Sequence, residues 1–168
     1  LDRLLTARNN INLRKQNIFY VNNITLSYDN YMWIFDEEDF RLKKIDEEGK
    51  ILQSSTDWRM LFDTVPAPVK MIDRDNFVYL YDPAKGFYIF DYYGGYKNRL
   101  AFLNWTNVEV NGNNVYGFEK NKLYSYVLSL QLKEYTLPAF FGKYQAIKAM
   151  NGKVYLLNEK GVDIYQIR

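Results

Sequence analysis

The sequence predicts an all-β fold of the β-propeller class, in which four-stranded sheets, or blades, repeat along the chain. Two observations predict it. A short strand pattern recurs at intervals of about 40 residues, which is the spacing of propeller blades. Aromatic residues make up 18% of the 168 residues, and aromatic side chains favour strands. We expect about four four-stranded blades, and we expect them to form the C-terminal part of a larger propeller.

The recurring pattern is the second strand of each predicted blade. It carries an aromatic column, and three positions later a polar residue begins a turn. The aromatic column consists of Trp33, Tyr79, Tyr116 and Tyr155, and the polar residues are Asp36, Asp82, Glu119 and Asn158. Aromatic residues at the same strand position in every blade are typical of the core between blades. We therefore expect the column to be buried rather than to bind a ligand.

Further strand patterns before and after each column complete the blades. Turns rich in Asn, Asp and Gly separate them, because these residues tolerate the positive φ angles of tight hairpins. The predicted blades span residues 24–60, 66–104, 107–138 and, without a fourth strand, 144–168. Residues 1–23 are predicted to end a preceding blade, with an outer strand at residues 11–14. We expect little or no helix, and residues 56–63 are the segment that comes nearest to forming one helical turn.

Several classes of site are excluded by composition. The chain has no His and no Cys, which removes Ser-His-Asp and Cys-His catalysis and ordinary zinc sites. A net charge of +2 with scattered basic residues does not predict nucleic-acid binding. No apolar run is long enough for a transmembrane helix. We expect no catalytic residue, no metal and no cofactor. Carboxylates cluster near residues 36–39, 46–48 and 73–75, where hairpin tips explain them better than a calcium site or an acid–base pair.

Aromatic residues in the predicted loops are the candidates for contact with a partner, because exposed aromatics in loops often mark binding surfaces. Local packing is the competing explanation. The candidates are Trp58, Tyr92, Tyr93, Tyr96, Trp105, Phe140 and Phe141. The triplet Asp63-Thr64-Val65 resembles the O-glycosylation triplet of Bacteroidetes periplasmic proteins, which makes Thr64 a candidate for modification.

The repeat resembles a group of exported, uncharacterised propeller proteins of Bacteroidetes, often encoded in flavobacterial genomes. The segment Asn30-Tyr-Met-Trp-Ile-Phe-Asp36 and the strand Phe87-Tyr-Ile-Phe-Asp91 carry this resemblance. The resemblance implies an extracytoplasmic location, in the periplasm or at the outer membrane. It supplies no catalytic residue.

Two functions remain open at this point. The first is a non-enzymatic scaffold that binds proteins, as an accessory subunit of a bacterial cell-envelope complex. It requires no titratable catalytic group, in keeping with the absence of His and Cys. The second is a carbohydrate-binding or glycan-active propeller that uses loop aromatics and carboxylates, and cleavage would require two carboxyl groups about 5–10 Å apart.

Overall fold

The computed structural model describes residues 10–128 and 130–168. In this part of the chain all regular structure is β-strand apart from three short 3-10 turns. The strands form four sheets, and in each sheet neighbouring strands follow one another in the chain. The prediction of an all-β chain of repeated sheets is confirmed.

The first three sheets have four strands and the fourth has three. The first contains β1 (Val21–Leu26), β2 (Met32–Asp36), β3 (Arg41–Ile45) and β4 (Ile51–Ser54). The second contains β5 (Lys70–Arg74), β6 (Phe77–Asp82), β7 (Gly86–Asp91) and β8 (Tyr96–Leu100). The third contains β9 (Thr106–Asn111), β10 (Asn114–Glu119), β11 (Lys122–Val127) and β12 (Gln131–Thr136). The fourth contains β13 (Ala146–Met150), β14 (Lys153–Asn158) and β15 (Gly161–Gln166).

The aromatic column occupies the second strand of every sheet. In the first, third and fourth sheets, Trp33 pairs with Lys44, Tyr116 with Ser125 and Tyr155 with Ile164 on the third strand. Each of these pairs lies three positions before the pair that closes the hairpin. The column is therefore one structural position repeated in successive sheets.

Tight turns join the first and second strands, as their Asn, Asp and Gly content predicts. Both central residues have positive φ in two of these turns: 51° and 68° at Asp75 and Asn76, and 51° and 69° at Asn151 and Gly152. Positive φ at both central residues defines the type I′ turn, whose twist matches that of the flanking strands.

The prediction of an outer strand at residues 11–14 is wrong. Leu13–Gln16 form a 3-10 turn instead. The Asn12 side chain accepts a hydrogen bond from the Arg14 backbone N–H at the start, and Asn17 ends the turn with a φ of 56°. Residues 1–9 of the predicted preceding blade lie outside the described residues. Residues 56–63, the segment that came nearest to a helical turn in the sequence, contain the short 3-10 turn Trp58–Met60, which Asp57 caps in the same way.

The chain divides into two compact units, and the division passes through the second sheet. The first contains the described residues up to Leu80 together with Tyr88–Asn98, and the second contains Tyr81–Phe87 and Arg99–Arg168. In the first unit, one cluster joins the first and second sheets around Trp33, Phe35 and Trp58. A smaller cluster of Ile18, Ile34 and Ile45 covers the opposite face of the first sheet.

The core of the second unit joins the third and fourth sheets. Its buried members are Tyr116, Phe118, Leu123, Ala149, Val154 and Leu156. Trp33 and Tyr116 both lie in clusters shared with the following sheet. In these two sheets, the side chain of the aromatic column therefore points toward the next sheet in the chain.

Candidate binding surfaces

The two tryptophans proposed as partner contacts are buried, so that expectation is wrong for them. Trp58 has no exposed surface, and its ring stacks on Phe90 with centroids 5.0 Å apart. Trp105 is 5% exposed and stacks on Tyr124 at 5.1 Å. Each follows the last strand of one sheet and packs against the third strand of the next. They hold neighbouring sheets together instead of facing a partner.

The remaining aromatic candidates differ in their surroundings. Tyr96 is partly exposed but packs edge-on against Phe62 and Phe90. Phe140 and Phe141 pack against Tyr165 in a local cluster of the second unit. Tyr92 and Tyr93 remain at a pocket. Thr64 is exposed in the segment between β4 and β5, and its modification stays a prediction.

Carboxylates in the turns accept hydrogen bonds from backbone N–H groups. Asp46 Oδ1 accepts hydrogen bonds from the N–H groups of Glu48 and Lys50, both at 2.9 Å. Asp36 Oδ1 accepts the N–H of Glu38, and its Oδ2 lies 2.7 Å from Lys43 Nζ. These contacts explain Asp36 and Asp46 as turn-stabilising residues, whereas Asp73 of the third cluster accepts a hydrogen bond from the Tyr92 hydroxyl. Among the described residues, no group of three or more His, Cys, Asp or Glu is arranged to hold a metal ion.

A pocket of about 570 Å³ lies in the first unit. It is lined by the β1–β2, β5–β6 and β7–β8 turns, by Lys44 of β3 and by parts of the outer strands β4 and β8. The residues that line it are Tyr28, Asp29, Tyr31, Lys44, Leu52, Gln53, Asn76, Phe77, Asp91, Tyr92, Tyr93 and Lys97. We call it the tyrosine pocket, because four of its residues are tyrosines. Its volume is in the range of small-molecule sites.

Two tyrosines of the pocket form a fixed platform. The ring of Tyr28 lies parallel to that of Tyr92, with centroids 5.1 Å apart and an angle of 10° between the planes. The Tyr92 hydroxyl donates a hydrogen bond to Asp73 Oδ1 at 2.5 Å. Burial, together with this hydrogen bond, raises the pKa of Tyr92. Tyr28 is 71% exposed, which leaves much of its ring open to solvent.

Lys44 organises the floor of the tyrosine pocket. Its Nζ forms an ion pair with Asp29, and its side chain is only 7% exposed. The rings of Tyr92, Trp33, Tyr31 and Tyr28 surround Nζ, with centroids 5.1, 5.3, 5.7 and 5.8 Å away. A cation attracts the negative face of each aromatic ring. The lysine therefore holds these aromatic rings around one point.

The charged groups of the pocket are paired, while several neutral groups are not. Asp91 Oδ2 lies 2.7 Å from Lys97 Nζ, and Asp29 pairs with Lys44. In contrast, the side-chain amides of Gln53 and Asn76 have no hydrogen-bond partner among the described residues. The groups that remain available to a ligand are thus these carboxamides and the hydroxyls of the pocket tyrosines other than Tyr92.

A second surface lies on the fourth sheet, in the second unit. Val154 and Leu156 point into the core, so the alternate residues of β14 point to the other face. Directly paired residues share a face, which places Tyr155 with Ile164 and Leu157 with Val162 on this side. Leu157, Val162 and Ile164 are 42%, 55% and 60% exposed. We call these four residues the open face.

Polar residues border the open face. Lys153 pairs with Gln166 at one end of the sheet, and both side chains are exposed. Lys148 pairs with Tyr155 across the strands, and its Nζ forms an ion pair with Glu109 at 3.3 Å. An apolar centre with a polar rim is the usual composition of a protein–protein interface.

Sequence reasoning missed most of both surfaces. It identified Tyr92 and Tyr93, but it passed over Tyr28 because that residue was assigned to the end of a strand. It also assigned Tyr155 to the core with the rest of the column. The alternation of Val162, Asp163 and Ile164 in β15 was an available signal for a strand with one apolar face.

Comparisons with known proteins support the fold and nothing narrower. No family model matches the chain, and no curated protein matches its sequence. Solved structures do match. The computationally designed Ika4 protein is 12% identical, with a TM-score of 0.56 over 89% of this chain and 92% of Ika4. Virginiamycin B lyase from Staphylococcus aureus is 14% identical, with a TM-score of 0.56 over 87% of this chain.

A third match is PorZ, a surface component of the type-IX secretion system of Porphyromonas gingivalis. It is 10% identical, with a TM-score of 0.52 over 88% of this chain. The chain spans 55% of the lyase and 20% of PorZ. These neighbours are β-propeller-like, and the chain has that fold. The described residues contain no helix suited to crossing a membrane.

Proposed function

We propose that this chain is a non-enzymatic β-propeller scaffold that binds a protein partner through the open face of the fourth sheet. The observation that carries the proposal is the exposure of three aliphatic side chains side by side on two paired strands. Contiguous apolar surface with a polar rim is a common mark of protein interaction sites.

The repeat indicates what kind of surface fits there. In the first and third sheets, the face that carries the aromatic column is buried against the following sheet. The open face is the equivalent face of the fourth sheet, and it carries Tyr155 of the same column. A partner that presents the apolar side of a β-sheet would bury it as the other sheets are buried.

A non-enzymatic role is supported by the lack of His and Cys and by carboxylates that already have hydrogen-bond partners. The chain has no His or Cys. The turn carboxylates of Asp36, Asp46 and Asp91 are engaged by backbone N–H groups. A general acid or base needs a carboxyl group that is free to reach a substrate.

An envelope location is also part of the proposal. Its support is the fold-level similarity to PorZ, together with the resemblance of the repeat to exported Bacteroidetes propellers. We propose that the chain is extracytoplasmic and that its partner belongs to an envelope complex.

The test changes the open face and measures binding of a partner. The tagged chain is expressed in cells that encode it, and a co-purifying envelope protein is identified, purified and used in a binding assay with variants. Val162→Lys combined with Ile164→Lys should abolish binding, since two buried charges would lie at the contact. The matched control is Gln131→Lys combined with Leu132→Lys, on the exposed strand β12. A partner that binds the first double variant as well as it binds the wild type would contradict the proposal.

A further inference from the structure

The tyrosine pocket differs from the open face in its chemistry. It combines flat aromatic rings with polar groups, whereas the open face is aliphatic. Its lining residues all lie in the first unit, and the open face lies in the second. We therefore expect the pocket to bind a ligand of a different chemical class.

The pairing of charges indicates a neutral ligand. Two lysines and two aspartates line the pocket, and they form the ion pairs Lys44–Asp29 and Lys97–Asp91. An anion would have to compete with the aspartates for the lysines, and a cation would have to compete with the lysines for the aspartates. The position over the rings where a cation would gain most is already occupied by Lys44 Nζ.

The unpaired groups indicate a ligand rich in hydroxyl groups. A carboxamide offers both donors and an acceptor, and a phenol offers one donor and an acceptor. Gln53 and Asn76 supply the carboxamides. Groups of this kind match sugar hydroxyls, which donate and accept at once, without a net charge on either side.

The aromatic platform indicates that the ligand also has a flat apolar face. Tyr28 is held parallel to Tyr92, and its outer side is exposed. Tyr93, at the same pocket, is 80% exposed. A pyranose ring carries its C–H groups on a face that can cover such a ring, while its hydroxyls point outward to the polar groups.

We propose that the tyrosine pocket is a binding site for a neutral saccharide, with Tyr28 as the stacking platform and Gln53 and Asn76 as hydrogen-bonding groups. The sugar is bound and not cleaved, because Asp29 and Asp91 are each held by a lysine and by turn N–H groups. Such a site would let the scaffold attach to surface glycans independently of its protein partner.

The test begins with the whole chain on an array of neutral oligosaccharides, beside sulfated and sialylated sugars and an array of random peptides. The best-bound neutral sugar is then titrated by calorimetry. Tyr28→Ala should weaken binding about tenfold or more, because loss of a stacked ring costs about 1.4 kcal/mol. Tyr28→Phe should stay within about threefold, since it keeps the ring. Gln53→Ala should weaken binding without affecting the platform.

The matched control is Tyr20→Ala, which removes an exposed tyrosine of the same unit that does not line the pocket. Thermal melts of all variants establish that each is folded. The inference is overturned if only peptides or only charged sugars bind, if no sugar binds, or if Tyr28→Ala and Tyr20→Ala bind the sugar equally well. Binding of the protein partner is measured in parallel. If sugar binding survives the Val162→Lys and Ile164→Lys changes, the tyrosine pocket binds independently of the open face.

Discussion

The first and fourth sheets carry the same pattern in their second strands but differ in what covers it. In the first sheet, Trp33 and Phe35 are at most 1% exposed, because the second sheet packs over them. In the fourth sheet, the equivalent residues are Tyr155 and Leu157, and Leu157 is 42% exposed. One sequence pattern thus gives a core in one sheet and a surface in the other. The difference shows that the pattern specifies the strand and its face, whereas the neighbouring sheet determines burial.

The largest effect should come from truncating the aromatic column in the two sheets. Trp33→Ala should reduce the free energy of unfolding by about 3–5 kcal/mol, since a fully buried ring leaves a cavity. Tyr155→Ala should cost about 1 kcal/mol, because its ring is only half-buried. Urea unfolding followed by circular dichroism measures both. Equal losses at the two positions would show that the fourth sheet is covered as the first is.

A smaller loss of stability is expected from a change at the position after the column. This position is Ile34 in the first sheet and Gly117 in the third. A Cβ atom at Gly117 would overlap the Trp105 ring. Gly117→Ala should therefore cost about 1–3 kcal/mol through overpacking. At Gly142 a Cβ atom would meet nothing within 4 Å, so Gly142→Ala should change stability by less than about 0.5 kcal/mol. Tolerance of Gly117→Ala in a urea titration would mean that Trp105 is not fixed against the strand.

The smallest expected effect is a change in the pH dependence of stability at the first turn of the first sheet. Burial alone would raise the pKa of Asp29, but hydrogen bonds from Lys44 and from the Tyr31 N–H lower it below the ordinary value of 3.8. A lowered pKa in the folded state contributes stability that is present above the unfolded pKa and is lost as pH falls through the folded pKa. Asp29→Asn should therefore reduce the loss of stability between about pH 7 and about pH 3.

The measurement for Asp29 is the urea midpoint at the two pH values. Glu159→Gln, an exposed carboxylate in the β14–β15 turn of the fourth sheet, serves as the control and should leave the acid-induced loss as it is in the wild type. If Asp29→Asn has the same acid-induced loss as the wild type, the ion pair with Lys44 does not stabilise the turn.

The buried tryptophans show why candidate sites were hard to identify from sequence. Trp58 and Trp105 follow the last strand of a blade, in predicted loops, where aromatic residues often bind partners. Both lie in connecting segments, as predicted, but the third strand of the next sheet covers them. Tyr93 lies in a comparable turn and is exposed. The sequence around these residues does not distinguish the buried tryptophans from the exposed tyrosine, because the strand that covers the tryptophans lies elsewhere in the chain.

The sequence by itself determined the strands, their order and the turns between them. These features depend on short-range chemistry: strands need apolar and aromatic residues with strand preference, and tight hairpins need Asn, Asp or Gly at positive φ. Tertiary structure alone decided which aromatic residues became core, pocket or surface. Trp33 and Tyr155 hold the same position in their strands, and only packing of another sheet buries the first. Lys44 and Tyr28 likewise read as ordinary strand residues, and they form a pocket only because Tyr92 is brought to them from the second sheet.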